Sequence, residues 1–97
     1  MRVELDAAAE NDLLEIIAWY DQRSSTAGDQ FLVELGLASD RIANFPKSCS
    51  KVSRRARRCR LSRFPYGLIY QIRKDEIVIF AVMHLHRKPG FWKGRLK

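Results

Sequence analysis

Residues 54–92, which read RRARRCRLSRFPYGLIYQIRKDEIVIFAVMHLHRKPGFW, decide the fold of this chain. Within them, Tyr66–Ile72 shows the alternation that is typical of a strand. Ile77–Leu85 is apolar on both faces, which predicts a central strand that is covered on two sides. The charged link 73–76 is short enough to join them as an antiparallel hairpin, and a further strand is predicted near Ala56–Ser62.

Upstream of this stretch, the spacing of apolar residues predicts one short strand and two helices. Residues 3–5 alternate as a strand with one face turned inward. Asp6 is suited to cap a first helix, predicted from about Ala7 to Gln22, by accepting from its free amides. A second amphipathic helix follows and should stop at Phe45, because the residue before a proline is driven away from helical geometry.

These elements define a fold class. Their order is β-α-α-β-β-β, with residues 46–53 predicted as a polar loop. A helical hairpin must bury its apolar stripe, and a sheet offers a face for it. We therefore expect a two-layer α+β fold in which the helical hairpin packs on an antiparallel sheet, as a single domain over residues 1–97.

Charge is distributed unevenly along the chain. Residues 1–45 hold nine acids and three bases, a net charge of −6, whereas residues 46–97 hold fifteen bases and two acids, a net charge of +13. An asymmetry of this size predicts that the C-terminal half attracts something anionic, either nucleic acid or an acidic protein segment.

The sequence also bears on compartment and cofactors. No apolar run approaches the ~20 residues that span a bilayer, and the N-terminus lacks the pattern of a signal peptide, so we expect a cytoplasmic protein. Cys49 and Cys59 are expected to be reduced thiols, because their spacing is a poor match to zinc or redox motifs. No cofactor is expected.

His84, His86 and Arg87 are the candidates for chemistry. Two histidines two residues apart on a strand project from the same face, where they could act as acid and base. Arg87 could steady a phosphate beside them, which is coherent for RNA cleavage. The alternative is that these residues only make hydrogen bonds at the end of a strand, since no carboxylate or nucleophile accompanies them in the sequence.

A cluster of arginines is the candidate binding surface. It comprises Arg54, Arg55, Arg57, Arg58, Arg60 and Arg63. Arginine presents forked donors that suit phosphate and carboxylate alike. The cluster could hold nucleic acid, with Tyr66, Phe91 and Trp92 for stacking, or an acidic peptide of a partner, or it could be a solvated basic face.

Taken in order, these features resemble the RelE/ParE family of small bacterial toxins from type II toxin–antitoxin systems. The matching residues are Asp12-Leu13 with Ile16, Phe31 with Leu35 and Ile42, Asn44-Phe45-Pro46, Arg60-Leu61, Phe64-Pro65-Tyr66, Ile69-Tyr70, Ile77-Val78-Ile79, and His84-x-x-Arg87-x-Pro89-x-x-Trp92. The resemblance covers nearly the whole chain. It implies the family's small α+β fold and, as partner, an antitoxin encoded beside the toxin.

The family has two functional branches. RelE-like members cut mRNA on the ribosome and typically carry an arginine just before the Leu-x-Tyr of the third strand, where this sequence has Gly67. They also often end with a functional tyrosine, where this sequence has Phe91 and Trp92. The Phe-Pro-Tyr turn and the His-x-x-Arg-x-Pro ending resemble the ParE-like branch, whose members act on DNA gyrase.

The resemblance therefore implies a ParE-like toxin that arrests growth by binding DNA gyrase and that serves in plasmid or chromosome stabilisation. The alternatives are a RelE-like mRNA endonuclease that uses His84, His86 and Arg87, and an inactive member that only binds its antitoxin. The residues expected to contact antitoxin or target are Arg57, Arg58, Arg60, Arg63, Tyr70, Arg87 and Trp92.

Overall fold

A computed structural model of the protein describes residues 1–88 and 90–96, so Pro89 of the family-like ending lies outside the described residues. The elements, in chain order, are β1 (Arg2–Leu5), α1 (Ala7–Asp21), α2 (Ala27–Asn44), β2 (Ser50–Ser53), β3 (Ala56–Arg60), β4 (Tyr66–Arg73), β5 (Glu76–His84) and a 3-10 helix at Phe91–Arg95, called the tail helix below. The two-layer α+β fold class is confirmed.

The start of α1 and the end of α2 have the local causes that the sequence predicted. Asp6 accepts a hydrogen bond from the backbone N of Ala9 at 2.9 Å and so caps α1. The second helix ends with Phe45 as its C-cap, directly before Pro46. At its start, Thr26 is the N-cap without a side-chain hydrogen bond, and the hydroxyl of Ser24, two residues earlier, accepts from the amide of Thr26.

The sheet has five strands in the order β1-β5-β4-β3-β2. The antiparallel pairing of β3, β4 and β5 is confirmed. The first strand adds a parallel pair, with Val3 opposite Ile77, so the sheet is mixed. The position of β5 inside the sheet, with both faces covered, explains why its side chains are apolar on both faces.

The prediction of a loop at residues 46–53 was wrong in part, because residues 50–53 form β2. This strand is short, polar and at the edge of the sheet, where Ser50 and Lys51 are exposed. An edge strand needs no apolar alternation, since its ladder to β3 holds it and one side faces solvent. Hydrophobic periodicity therefore gave no signal for it.

Apolar packing occurs on both faces of the sheet. The larger cluster lies between the helices and the sheet and is built on Phe31, Ile42, Leu68, Tyr70 and Ile79. On the opposite face, the tail helix places Trp92 against a smaller cluster that includes Ile69, Phe80 and Met83. Trp92 is 4% exposed, whereas Trp19 of α1 is 50% exposed, which settles the environment of both tryptophans.

Candidate interaction surface

The strand β3 divides the arginine cluster between two faces of the sheet, because successive side chains of a strand point in opposite directions. Arg57 shares the face of Cys59, which packs against the helices. Its Nη1 donates to the backbone oxygens of Lys47 at 3.0 Å and Cys49 at 2.7 Å, so this guanidinium holds the loop before β2. Arg58 points to the opposite face.

Arg58 lies across Gly67 of the neighbouring strand. A Cβ at position 67 would stand 3.0 Å from Cγ and 3.2 Å from Cδ of Arg58. The absence of a side chain at Gly67 therefore leaves room for the aliphatic stem of Arg58. Because of this, the position where RelE-like sequences carry an arginine is covered here by an arginine from β3.

Arg58, Arg87 and Lys93 surround a small hollow on the face of the sheet opposite the helices. It has a volume of 220 Å³, and its apolar lining includes Trp92 and Met83. Arg87 is exposed, and its guanidinium lies 4.6 Å from the centre of the Phe91 ring. The hollow therefore combines three cations with an apolar floor.

A larger cleft of 460 Å³ lies at the end of the sheet, beside the last residues of β4. The paired register of β3 and β4 begins at Arg57 and Tyr70, so Gln71 to Arg73 extend past it. The cations that line this cleft are Lys51, Arg54, Arg55, Arg57 and Arg73, and the lining among the described residues includes no carboxylate. This arrangement attracts anions.

Two of the expected contact residues have buried side chains. Tyr70 is 0% exposed, and its hydroxyl donates to the backbone oxygen of Pro46 at 2.7 Å. Burial raises the pKa of this hydroxyl well above its ordinary value. Trp92 is likewise nearly covered. Both side chains support the surface from beneath.

Arg60 and Arg63 are exposed but line neither of the two hollows described above. The backbone oxygen of Arg60 accepts a hydrogen bond from Nη2 of Arg41 on α2 at 2.8 Å. Arg63 lies 4.0 Å from the carboxylate of Glu34, also on α2. The run of arginines in the sequence is thus dispersed over several environments.

The histidines are close together, but not as two residues of one strand. The strand β5 ends at His84, and the backbone N of His86 turns back to donate to Nδ1 of His84 at 3.1 Å. The two rings lie 5.1 Å apart, and His84 packs edge-on against Tyr66. One nitrogen of His84 therefore serves the local turn.

A polar hollow of 100 Å³ beside these residues contains carboxylates that the sequence pattern did not reveal. Its lining includes Asp12 and Glu15 of α1 together with His84 and Arg87. Asp12, however, is already engaged. It accepts from the backbone N of Val82 at 3.0 Å and from both terminal nitrogens of Arg95.

The pair of Asp12 and Arg95 joins α1 to the tail helix. Nη1 and Nη2 of Arg95 lie 2.6 Å and 3.1 Å from the two carboxylate oxygens, and Nη1 also donates to the backbone oxygen of Phe80 at 3.2 Å. The hydrogen bond to Asp12 raises the pKa of Arg95. The strand β1 pairs with β5 only as far as Ile79. Asp12 and Arg95 therefore lie along the part of the same edge of β5 that continues past the end of β1.

Cys49 and Cys59 are free cysteines, and burial raises the pKa of the Cys59 thiol. Within residues 1–88 and 90–96, no group of three or more acidic, histidine or cysteine side chains could hold a metal ion. None of the described helices combines the length and apolar character that crossing a membrane requires.

Comparison with known proteins gives the family. The sequence model described as the ParE toxin of the type II toxin–antitoxin system parDE matches residues 3–89. This chain belongs to the ParE toxin family. Among curated proteins, no sequence matches it.

A solved structure supports the fold of this ParE-family toxin. The present chain is similar to a solved chain described as a chromosomal ParDE toxin–antitoxin system from P. aeruginosa, with a TM-score of 0.75 and 16% sequence identity. The similarity covers 87% of this chain and 95% of the other. The ParE-like branch, which Gly67 and the closing residues favoured, is therefore confirmed as the family of the chain.

Proposed function

We propose that this ParE-family toxin inhibits DNA gyrase by binding to it and that a cognate antitoxin neutralises it. The observation that carries the proposal is the match of the ParE toxin model to residues 3–89. The arrangement around His84 is consistent with binding rather than cleavage. Its Nδ1 accepts from the chain itself, and Asp12, the nearby carboxylate, is committed to Arg95 and Val82.

The proposed target contacts lie on the face of the sheet opposite the helices. Arg58, Arg87 and Lys93 present three cations around one hollow, and Trp92 forms part of its floor. Arginine is among the residue types that dominate binding energy at protein interfaces, and Trp92, which is buried in the toxin itself, supports this hollow from beneath. Arg57, Arg60, Arg63 and Tyr70 remain proposed contacts or supports for the antitoxin or the target.

The helical layer offers a different kind of surface. Its exposed large apolar side chains are Leu14, Trp19, Leu32, Val33 and Leu37, and Phe45 follows α2. Because exposed apolar patches mark contact sites for other proteins, we propose that this layer supplies apolar contacts to a partner. We propose that the antitoxin combines an acidic, partly helical segment with apolar contacts.

The test of gyrase inhibition is a DNA supercoiling assay with purified gyrase and the full-length toxin. We expect supercoiling to stop at a stoichiometric excess of toxin. The double variant Arg58→Ala/Arg87→Ala should require at least ~10-fold more protein, because it removes two cations from one hollow. Arg23→Ala, on the helical side, is the matched control. Undisturbed supercoiling at excess toxin would overturn the proposal.

Antitoxin binding has its own test. The product of the neighbouring gene should bind the toxin with an affinity that falls as salt rises, because exposed arginines contribute to the contact. Titration calorimetry at two salt concentrations measures this dependence. An affinity that is independent of salt would assign the contact to the apolar side chains of the helices instead.

A second candidate function is ribosome-dependent mRNA cleavage. The favouring observation is that His84 and Arg87 share one hollow with Glu15, while the ring of His86 lies 5.1 Å from that of His84. Toeprinting on translated mRNA decides it. If His86→Ala and Arg87→Ala cut as well as the parent, this site is wrong.

The third possibility is a member of the family that only binds its antitoxin. It predicts normal growth when the chain is expressed without antitoxin, whereas both other functions predict growth arrest. Plating of cells after induction separates these outcomes. Expression with and without the neighbouring gene provides the internal control.

A further inference from the structure

Three hollows lie beside the edge strand β2 and the adjoining turn. Lys51 lines the 460 Å³ cleft, Val52 lines the 220 Å³ hollow, and Ser53 lines a third hollow that reaches Leu96. Arg54 lines both the cleft and the third hollow. The 460 Å³ cleft and the third hollow therefore form one concave strip beside the turn between β2 and β3, whereas the 220 Å³ hollow lies separately on the face of the sheet opposite the helices.

Positive charge lines this strip along its length. Three of its cations, called the cationic band below, are Lys51, Arg54 and Arg73. None of the described residues that line the three hollows is an acid. The ion pairs within the described part of the chain lie elsewhere, at Arg2 with Glu4, Arg63 with Glu34, and Arg95 with Asp12. The band therefore suits a ligand with repeated negative charges.

The chemistry of the strip distinguishes between two kinds of polyanion. A protein partner is expected to use an apolar centre with a polar rim, and the exposed large apolar side chains of the described residues lie mainly on the helices. Lys51, Arg54 and Arg73 of the band are exposed, and guanidinium groups match phosphate oxygens well. The band thus favours a phosphate backbone over an acidic peptide.

The aromatic rings near the band are not available for stacking on bases. Tyr70 and Trp92 are buried. Phe91 lies beneath the guanidinium of Arg87 at 4.6 Å and that of Arg95 at 5.1 Å. Single-stranded nucleic acid is normally held on exposed aromatic side chains. A surface with cations but without open rings is instead suited to the backbone of a duplex.

We infer that the cationic band binds the phosphate backbone of duplex DNA without sequence preference. This affinity belongs to the toxin itself and is separate from any contact with gyrase. It would hold the toxin on the substrate of a DNA-acting target, while the helical layer stays open to a protein partner. Binding of this kind releases counterions, so it should weaken steeply as salt rises.

The experiment is fluorescence anisotropy of a labelled 20-base-pair duplex of arbitrary sequence, titrated with the full-length toxin at several salt concentrations. The test variant is Lys51→Gln/Arg54→Gln. The matched control is Arg2→Gln/Arg23→Gln, which removes the same charge from the other edge of the sheet and from the helical side. The single variant Arg73→Gln tests in the same way the member of the band that lies on β4.

We expect the test variant to bind about 10-fold more weakly than the parent at moderate salt, and its slope of log Kd against log salt to fall by about 1.8, or about 0.9 for each lost phosphate contact. The control should retain the parental slope. Equal losses in both double variants would mean that net charge alone acts, and would overturn the inference.

Two competitors complete the design. A single strand of the same length should compete less well than the duplex, and a polyglutamate peptide of matched charge should compete less well than either. Stronger competition by the single strand would assign base stacking to the surface. Stronger competition by the peptide would make it a docking strip for protein. Gyrase is absent throughout, so this outcome and the supercoiling outcome are independent.

Discussion

The helical layer and the sheet surface of this toxin differ in both charge and side-chain type. Residues 1–45, which include both helices, carry a net charge of −6 and most of the exposed large apolar side chains. Residues 46–97 carry a net charge of +13, and their cations line the hollows around β2 and the tail helix. The comparison teaches that one small fold can present two surfaces to partners of different chemistry.

Phe31 provides the strongest test of how firmly the two regions are joined. It is fully buried, and its ring packs against Phe64 at 5.0 Å and Tyr66 at 5.2 Å. We expect Phe31→Ala to lower the free energy of unfolding by about 3–5 kcal/mol, through lost burial and a residual cavity. Urea denaturation measures the change. Leu32→Ala, one residue on and exposed, should stay within about 0.5 kcal/mol.

Asp12 joins the same two regions through polar contacts. Asp12→Ala removes the acceptor for the amide of Val82 and for Arg95, so we expect a loss of about 2–3 kcal/mol. A double-mutant cycle with Arg95→Ala should show a coupling energy of at least about 1 kcal/mol. The exposed neighbour Asn11 provides the control substitution. Additive effects of the two mutations would show that Asp12 and Arg95 do not stabilise the fold as a pair.

Alkaline pH should weaken the sheet side of the core. Burial raises the pKa of Tyr70 and of Tyr66 in the folded protein above the ordinary value of about 10. Above that pH the unfolded chain loses protons that the folded chain keeps. Stability is therefore intact below pH ~10 and should fall as the pH rises above it, by at most about 1.4 kcal/mol per pH unit for Tyr70, the fully buried of the two.

The variant Tyr70→Phe checks the assignment. It should cost about 1 kcal/mol at neutral pH, because the backbone oxygen of Pro46 loses its donor. It should also make the alkaline decline shallower, as measured by urea denaturation at a series of pH values. An unchanged slope in this variant would assign the alkaline effect to other groups.

The smallest effect is expected on the exposed side of α2, at Gly36. A Cβ there would meet no atom within 4 Å, so Gly36→Ala should stabilise the protein by up to about 1 kcal/mol. Gly28→Ala is the contrasting variant, because its Cβ would stand 2.1 Å from Oδ1 of Asp21. A thermal melt that shows equal gains at both positions would contradict this account.

Much of the fold was predictable because its determinants are local or periodic. The cap at Asp6, the end of α2 at Phe45 and the two-sided apolar run of β5 could all be read from the sequence. The strand β2 could not, since the hydrogen bonds to β3 define it rather than its side chains.

The surface was less predictable than the fold for two physical reasons. The arginine cluster is continuous in sequence, but strand geometry sends Arg57 and Arg58 to opposite faces. The contact of Asp12 with Arg95 spans 83 positions, and no periodic pattern reports such a distance. In the sequence, Gly67 was noticeable because RelE-like members have an arginine there. That Gly67 leaves room for Arg58 could not be predicted, because Arg58 lies on the neighbouring strand.

The parallel pairing of β1 with β5 has a consequence for folding. The hairpin of β4 and β5 closes over a turn of two residues, whereas Val3 must find Ile77 across most of the chain. Contacts of such long sequence separation form late, because loop closure must precede them. We expect pulse-labelled hydrogen exchange to show the amides of β1 among the last to be protected. Until then the outer edge of β5 is unpaired, and an unpaired central strand is open to other chains.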